Sequence, residues 1–271
     1  MNPARAFSSV LLLCALLCAG AATSQDRGEG ELDKSPPHNM TPEQLVQRFA
    51  AKEKEVQAIR RQYTFRQSVK VHTLDAEGKI VSEYQQVADM RFDPKNQWTK
   101  TVVFAPQPSL PVTKEDLADL ETRQSFTIGT DELPDYTLTY VGQQRLDELH
   151  CYVFDVAPKM MEKGRRYFQG RIWVEEQDFQ IVKNTGKSVP DIRIQKKKRV
   201  EENLFPKFTT WREQIDGKYW FPTFSSADDT LHFVHDDVHL KEVLKFTDYK
   251  RAAGATPPTH PPTHPPVRCK N

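Results

Sequence analysis

Apolar residues recur at every second position through most of this chain, a spacing that extended strands produce and a helix does not. The clearest stretch runs from Arg165 to Lys183, RRYFQGRIWVEEQDFQIVK. In its first run Tyr167, Gln169, Arg171 and Trp173 share one face, and Phe168, Gly170, Ile172 and Val174 share the other, because successive strand side chains point to opposite sides. Glu175, Glu176, Gln177 and Asp178 interrupt the pattern, and Phe179, Ile181 and Lys183 resume it. This reads as a β-hairpin around an acidic turn. Gly170 lies mid-strand, where a missing side chain permits a bend or the close approach of another group.

The same device repeats on both sides of this hairpin. Tyr63, Phe65, Val69 and Val71 alternate with polar residues, then Asp75–Gly78 turns the chain. Ile80, Tyr84, Ala88, Met90 and Phe92 mark a second strand, Asp93–Asn96 a turn, and Trp98–Phe104 a third strand. Pro106, Pro108 and Pro111 then end sheet pairing. Tyr136–Val141 and Cys151–Val156 form another pair, joined through the polar region Gly142–Glu148. A last meander comprises Lys207–Ile215, Lys218–Ser226 and Thr230–Tyr249, with Asp216-Gly217 as a hairpin turn. Two segments are helical instead. Thr41-Pro42-Glu43-Gln44 supplies a cap, a proline in the first turn and a capping-box glutamine. Leu45, Phe49, Val56 and Ile59 follow as the buried stripe, while Lys52, Glu53, Lys54 and Glu55 mostly face water. Thr113–Asp116 caps a short helix reaching Arg123, with Leu117 and Leu120 as its buried edge, or else belongs to a loop over an opening.

The ends of the chain do not contribute to this core. Arg5, the apolar run Val10–Leu17 and the small residues Ala19 to Ser24 form a signal peptide over residues 1–24, cleaved near Ser24. Residues 25–39 lack periodicity and read as a flexible leader. The folded domain spans residues 40–251, and the tail 252–271, with its Pro-Pro-Thr-His repeat, is a disordered segment. Cleavage leaves Cys151 and Cys269, two thiols that make no disulfide framework and are expected to be free.

Chemistry is sparse. Formal net charge is +1, so no whole-molecule field favours nucleic acid or an anionic membrane. Lys196, Lys197, Lys198 and Arg199 form a short basic run offset by Glu201 and Glu202, which suits a solvated rim. His232, His235, Asp236, Asp237 and His239 are the densest group of metal-ligand types, but they lack tetrahedral or facial-triad spacing. Asp228 and Asp229 read as turn residues. There is no G-x-S-x-G, H-E-x-x-H or phosphate-binding glycine loop. The expectation is a protein with no enzymatic activity, no cofactor and no metal.

Aromatic residues remain, and a curved sheet with helices over one face can enclose an apolar cavity. Each buried methylene contributes about 0.8 kcal/mol, so a chain of some 16 carbons contributes on the order of 10 kcal/mol before ordering costs. The signal peptide, the capped first helix, Gly170-Arg171-Ile172-Trp173-Val174 with Phe179-Gln180-Ile181-Val182-Lys183, ENLFPKFTTWREQIDGKYWFPT and VHLKEVLKFTDYKR together resemble the LolA-like outer-membrane lipoprotein-sorting family of diderm bacteria. The resemblance covers Thr41 to Arg251. It implies an α+β fold, a curved and mostly antiparallel β-sheet forming an incomplete β-barrel, with helices covering its open concave side. It further implies a periplasmic carrier for lipid or lipoprotein acyl chains, with peripheral membrane contact at most. The RseB-like relatives of this fold imply a second reading, an envelope-stress sensor that binds a regulatory protein, favoured by the accessory segment Pro190–Pro206 and the tail. Alternation places Tyr63, Phe65 and Val69, then Tyr84, Met90 and Phe92, then Phe154 and Val156, then Phe168 and Ile172, on the face toward such a cavity. The same ten residues serve equally to pack against the Leu45–Ile59 helix.

Overall fold

A computed structural model of the protein describes residues 28–93, 98–191, 194–195, 198–199, 205–233 and 236–252. The stretch read as a signal peptide, the tail beyond 252, Cys269, His235 and much of Pro190–Pro206 lie outside the described residues. Helix α1 is Pro42–Arg60, and its start is the expected capping box: Gln44 N–H donates to Thr41 Oγ1 and Thr41 N–H to Gln44 Oε1. Strands β1 (Tyr63–Leu74), β2 (Ile80–Phe92) and β3 (Trp98–Phe104) follow as a meander, and then α2 (Lys114–Ser125), whose Thr113 and Asp116 form a second capping box. The remaining strands are β4 (Tyr136–Leu146), β5 (Leu149–Pro158), β6 (Tyr167–Glu175), β7 (Ile181–Val189), the two-residue β8 (Ile194–Gln195) and β9 (Lys198–Arg199), β10 (Phe208–Ile215), β11 (Tyr219–His232) and β12 (Asp237–Arg251).

Ten strands form one sheet in the order β3-β2-β1-β12-β11-β10-β7-β6-β5-β4, with β8 and β9 paired separately. Every pairing is antiparallel. The sheet is curved and does not close, leaving β3 and β4 as its edges. It departs from hairpin order twice: β10 pairs with β7 across the β8–β9 segment, and β12 pairs with β1 from Tyr63↔Arg251 to Leu74↔His239 and so welds the first meander to the last. The inner face carries α1 and α2.

Four features differ from the sequence reading. Residues 28–35, read as a flexible leader, run as a strap along the outer side of β4: Gly30 N–H donates to Arg145 O, Asp33 N–H to Gln143 O, Gln143 N–H back to Asp33 O and Asp147 N–H to Gly28 O. The strap answers an otherwise unpaired stretch of edge, which is why a segment without periodicity is ordered. Asp228 and Asp229 are not turn residues. β11 runs through them to His232, with Asp228 bonded to His239 and Lys241 on β12 and Asp229 accepting the Lys207 N–H. Phe179 does not resume the strand, because it sits in the β6–β7 turn at φ 53°, buried under the Arg48 guanidinium. The β4 ladder also continues through Gly142 to Leu146, so the Gly142–Glu148 region is strand with a tight turn at its end.

The approach inferred at Gly170 is internal. Gly170 pairs with Gly186 across β6 and β7, and a Cβ on Gly170 would lie 2.1 Å from Thr185 O and 2.9 Å from the Phe168 ring. The facing glycines let the Phe168 ring lie flat over the sheet. At the opposite edge Val102, Val103 and Phe104 of β3, with Ile80 and Val81 of β2, remain exposed.

Candidate functional site

The ten residues expected toward a cavity all lie on or beside the helix-covered face, but they fall into separate buried groups. Phe154, Val156, Phe168 and Ile172 join Leu45, Phe49 and Ala50 of α1, with the Phe49 and Phe154 rings 5.6 Å apart. Phe65, Val69 and Met90 belong to a second group with Val71, Ala88, Leu231, Leu240, Leu244 and Phe246, roofed by Leu117 and Leu120 of α2. Tyr84 is half-buried at its border. Phe92 stacks on Trp98 at the sheet end, with centroids 3.6 Å apart. Tyr63 packs with Val56, Tyr219 and Phe221 beneath the end of α1, and its hydroxyl donates to Asp216.

Among the described side chains of α2, Leu117, Leu120 and Asp119 meet the sheet. Of its twelve residues, KEDLADLETRQS, only the leucines are large and apolar. Asp119 is 4% exposed and bonds to Ser188 Oγ at the end of β7. That contact latches α2 to the sheet from the polar side.

A buried ion pair lies between the two apolar groups, and the sequence reading missed it. Glu53, expected to face water with its charged neighbours, is 1% exposed, and it follows Phe49 by four residues and precedes Val56 by three, squarely on the buried stripe. Arg212 of β10 donates from Nη1 to both Glu53 oxygens, at 3.1 and 3.0 Å, and from Nη2 to Phe126 O at 2.9 Å. Glu53 also accepts from Ile181 N–H and the Thr127 hydroxyl. Satisfied from all sides, the carboxylate fastens α1 to β7, β10 and the segment after α2.

Arg60, at the end of α1, lies 5.8 Å from the Phe65 ring centroid and 5.4 Å from that of Trp98. Burial lowers its pKa from the ordinary arginine value, and the Tyr249 phenol lies beside it. Tyr249 donates to Pro222 O at 2.6 Å, and burial pushes its pKa up to about 12.

Two cavities lie along the sheet between β12 and β4. One, of about 940 Å³, is lined by Trp211, Arg212, Gln214, Thr223, Lys245 and Tyr249 among others, and sits where β11 and β12 part beyond the Phe224↔Lys245 pair. The other, of about 780 Å³, is lined by Thr137, Arg171, Trp173, Thr185 and Lys187 among others. Glu29 of the strap lines both and pairs with Lys183, whose Nζ lies 5.0 Å from the Trp173 centroid and 5.4 Å from that of Trp211. Two of the histidines considered as metal ligands form surface pairs, His232 with Asp237 and His239 with Asp228, and His235 lies outside the described residues.

No family model and no curated protein matches the chain. Among solved structures it is similar to the LolA superfamily protein NE2245 from Nitrosomonas europaea, at 15% identity over 76% of this chain and 93% of that chain, TM-score 0.37. It is also similar to a putative outer membrane lipoprotein-sorting protein domain from Vibrio parahaemolyticus, at 10% identity over 76% and 94%, TM-score 0.35. A third similarity is to the Pseudomonas aeruginosa MucA/MucB complex, at 11% identity over 76% and 99%, TM-score 0.20. The open antiparallel sheet of ten strands, with helices laid over one face, is a curved α+β half-barrel.

Proposed function

We propose that this protein is an exported, periplasmic, non-catalytic carrier or binding module for lipid or lipoprotein acyl chains. The observation that carries the reading is the roof of the second apolar group. Nine buried sheet residues, Phe65, Val69, Val71, Ala88, Met90, Leu231, Leu240, Leu244 and Phe246, share a group with a short helix that offers them two leucines and is latched by Asp119 and Ser188. Lifting α2 opens an apolar trough, and an acyl chain replaces the leucine contacts with longer ones of the same kind. Phe65, Val69, Tyr84 and Met90 line this trough in the proposal. Phe154, Val156, Phe168 and Ile172 form its continuation under α1, with Tyr63 and Phe92 at the ends.

The test locks the roof. A disulfide between Asp119→Cys and Ser188→Cys, in a Cys269→Ser background, is expected to abolish uptake of a fluorescent fatty acid when oxidised and to restore it when reduced. Equal uptake in both states, or no uptake by the unlocked protein, refutes the proposal. Native mass spectrometry of protein from its own periplasm checks for co-purifying lipid.

A second reading, a sensor domain with a regulatory protein partner, has its own observation: the unpaired edge of β3 with Val102, Val103 and Phe104 exposed. Crosslinking in the envelope separates the two. A carrier captures diverse lipoproteins, whereas a sensor captures one regulatory protein.

A further inference from the structure

Buried polar atoms without partners are not scattered in this protein. Among the described residues, eight buried side-chain nitrogen or oxygen atoms lack a hydrogen-bond partner: Arg60 Nε and Nη2, Gln62 Oε1, Asn184 Nδ2, Arg212 Nε, Gln214 Oε1, Tyr219 Oη and Thr223 Oγ1. All but Asn184 belong to the end of α1 and the β10–β11 hairpin. An orphaned buried polar group costs roughly 1–3 kcal/mol, so a cluster of them marks a place built for a guest.

The charge there identifies the kind of guest. Arg60 and Arg212 are within electrostatic reach of each other, of Glu53 and of Tyr249. Glu53 is engaged by Arg212, and the Tyr249 phenol stays neutral. Within this group of side chains two guanidiniums therefore share one carboxylate. The carbonyl end of α1 and the rings of Phe65 and Trp98 offset part of the Arg60 charge. Neither accepts hydrogen bonds from the orphaned N–H groups of both arginines. The cavity of about 940 Å³ reaches this place through Arg212, Gln214, Thr223 and Tyr249. Five carboxylates also line this cavity, Glu29, Asp147, Glu213, Asp216 and Asp248. Glu29 is paired with Lys183, Asp216 is engaged by Tyr63 and Arg251, and Asp147 and Asp248 are exposed, where water screens them.

We infer that Arg60 and Arg212, with the hydroxyls of Thr223 and Tyr219, form a binding site for an oxyanion, a carboxylate or a phosphate group, at the open end of the inner apolar layer. This deepens the acyl-chain reading, because it supplies the head group of an anionic amphiphile. The shared chemistry is a singly charged oxygen cluster that takes the Nε protons of both arginines. It requires no displacement of the Glu53–Arg212 pair.

Titrations of delipidated protein with inorganic phosphate, decanoate and decanol separate the site from the acyl reading. In the wild-type protein, phosphate is expected to shift the Nε–Hε NMR signals of Arg60 and Arg212. Decanoate should bind about tenfold more tightly than decanol. Arg60→Met should remove the phosphate response and equalise the two amphiphiles, and Arg60→Lys should retain part of the preference. Phosphate binding without binding of either amphiphile supports the oxyanion site and sinks the acyl reading. Equal affinity for decanoate and decanol, with unshifted arginine signals, overturns the site while leaving the acyl reading intact. If Arg60→Met does not fold, the wild-type arginine signals alone decide.

Discussion

Glu53 and Arg212 hold each other in a place where neither belongs alone. Removing the carboxylate strands a guanidinium inside, so Glu53→Ala is expected to lose about 3–5 kcal/mol in urea unfolding. The double variant Glu53→Leu/Arg212→Leu should recover most of that loss, because an apolar pair carries no desolvation penalty. A double variant as unstable as the single one would show that the pair is needed for more than its mutual charge. Tyr249 gives a pH test. Burial raises its folded pKa to about 12, while an unfolded tyrosine titrates near 10. Its contribution to stability is therefore fully present below about pH 10 and is lost as pH rises toward 12. Tyr63, also raised by burial and then by its bond to Asp216, acts in the same direction. Tyr249→Phe should flatten the alkaline fall of stability without removing it. Some of this was legible residue by residue: Gly170 announced a close approach, and the Phe168 ring over Gly170 and Gly186 is that approach. Glu53 was not read, although its spacing from Phe49 and Val56 carried the signal, because its partner lies 159 positions away.

The elements themselves were largely visible in the pattern. Capping boxes at Thr41 and Thr113 located both helices, and period two located the long strands. What failed did so for local reasons. Asp228-Asp229 looks like a turn, but β12 offers His239 and Lys241 across from Asp228, so the acids are satisfied within the ladder. The strap lacked any periodic signal because a lone segment on an edge is held by alternate backbone bonds and a few separate anchors, here Glu29 on Lys183, Leu32 against the outer apolar group and the Tyr140 and Gln144 side chains donating to Ser35 O and Gly30 O. That dependence is measurable. Deleting residues 25–34 should raise the amide exchange of Gln143 and Asp147, whose N–H groups donate to Asp33 and Gly28, while leaving Val153 inside the sheet protected. Unchanged protection at Gln143 would mean that the strap contributes no shielding. Glu29→Ala should loosen the same amides to a smaller extent.

At the scale of the molecule, alternation showed which face each strand buries but not which strand it neighbours. The pairing of β1 with β12 joins Tyr63 to Arg251, nearly the two ends of the described domain. Such distant closure implies folding in milliseconds to seconds rather than microseconds. The first meander should gain protection last, since β12 must be in place before β1 can add to it. The candidate site was legible as an aromatic face but not as a divided one, because α1 and α2 separate groups that share a side of the sheet. The two margins of that sheet are also unlike. One is strapped over its second half, and the other presents Val102, Val103 and Phe104 bare. A body with a single adhesive margin can join another margin to margin and then has nothing left to offer. Crowding this protein should therefore yield pairs and no filaments, and only removal of the strap should let the pairs grow into chains.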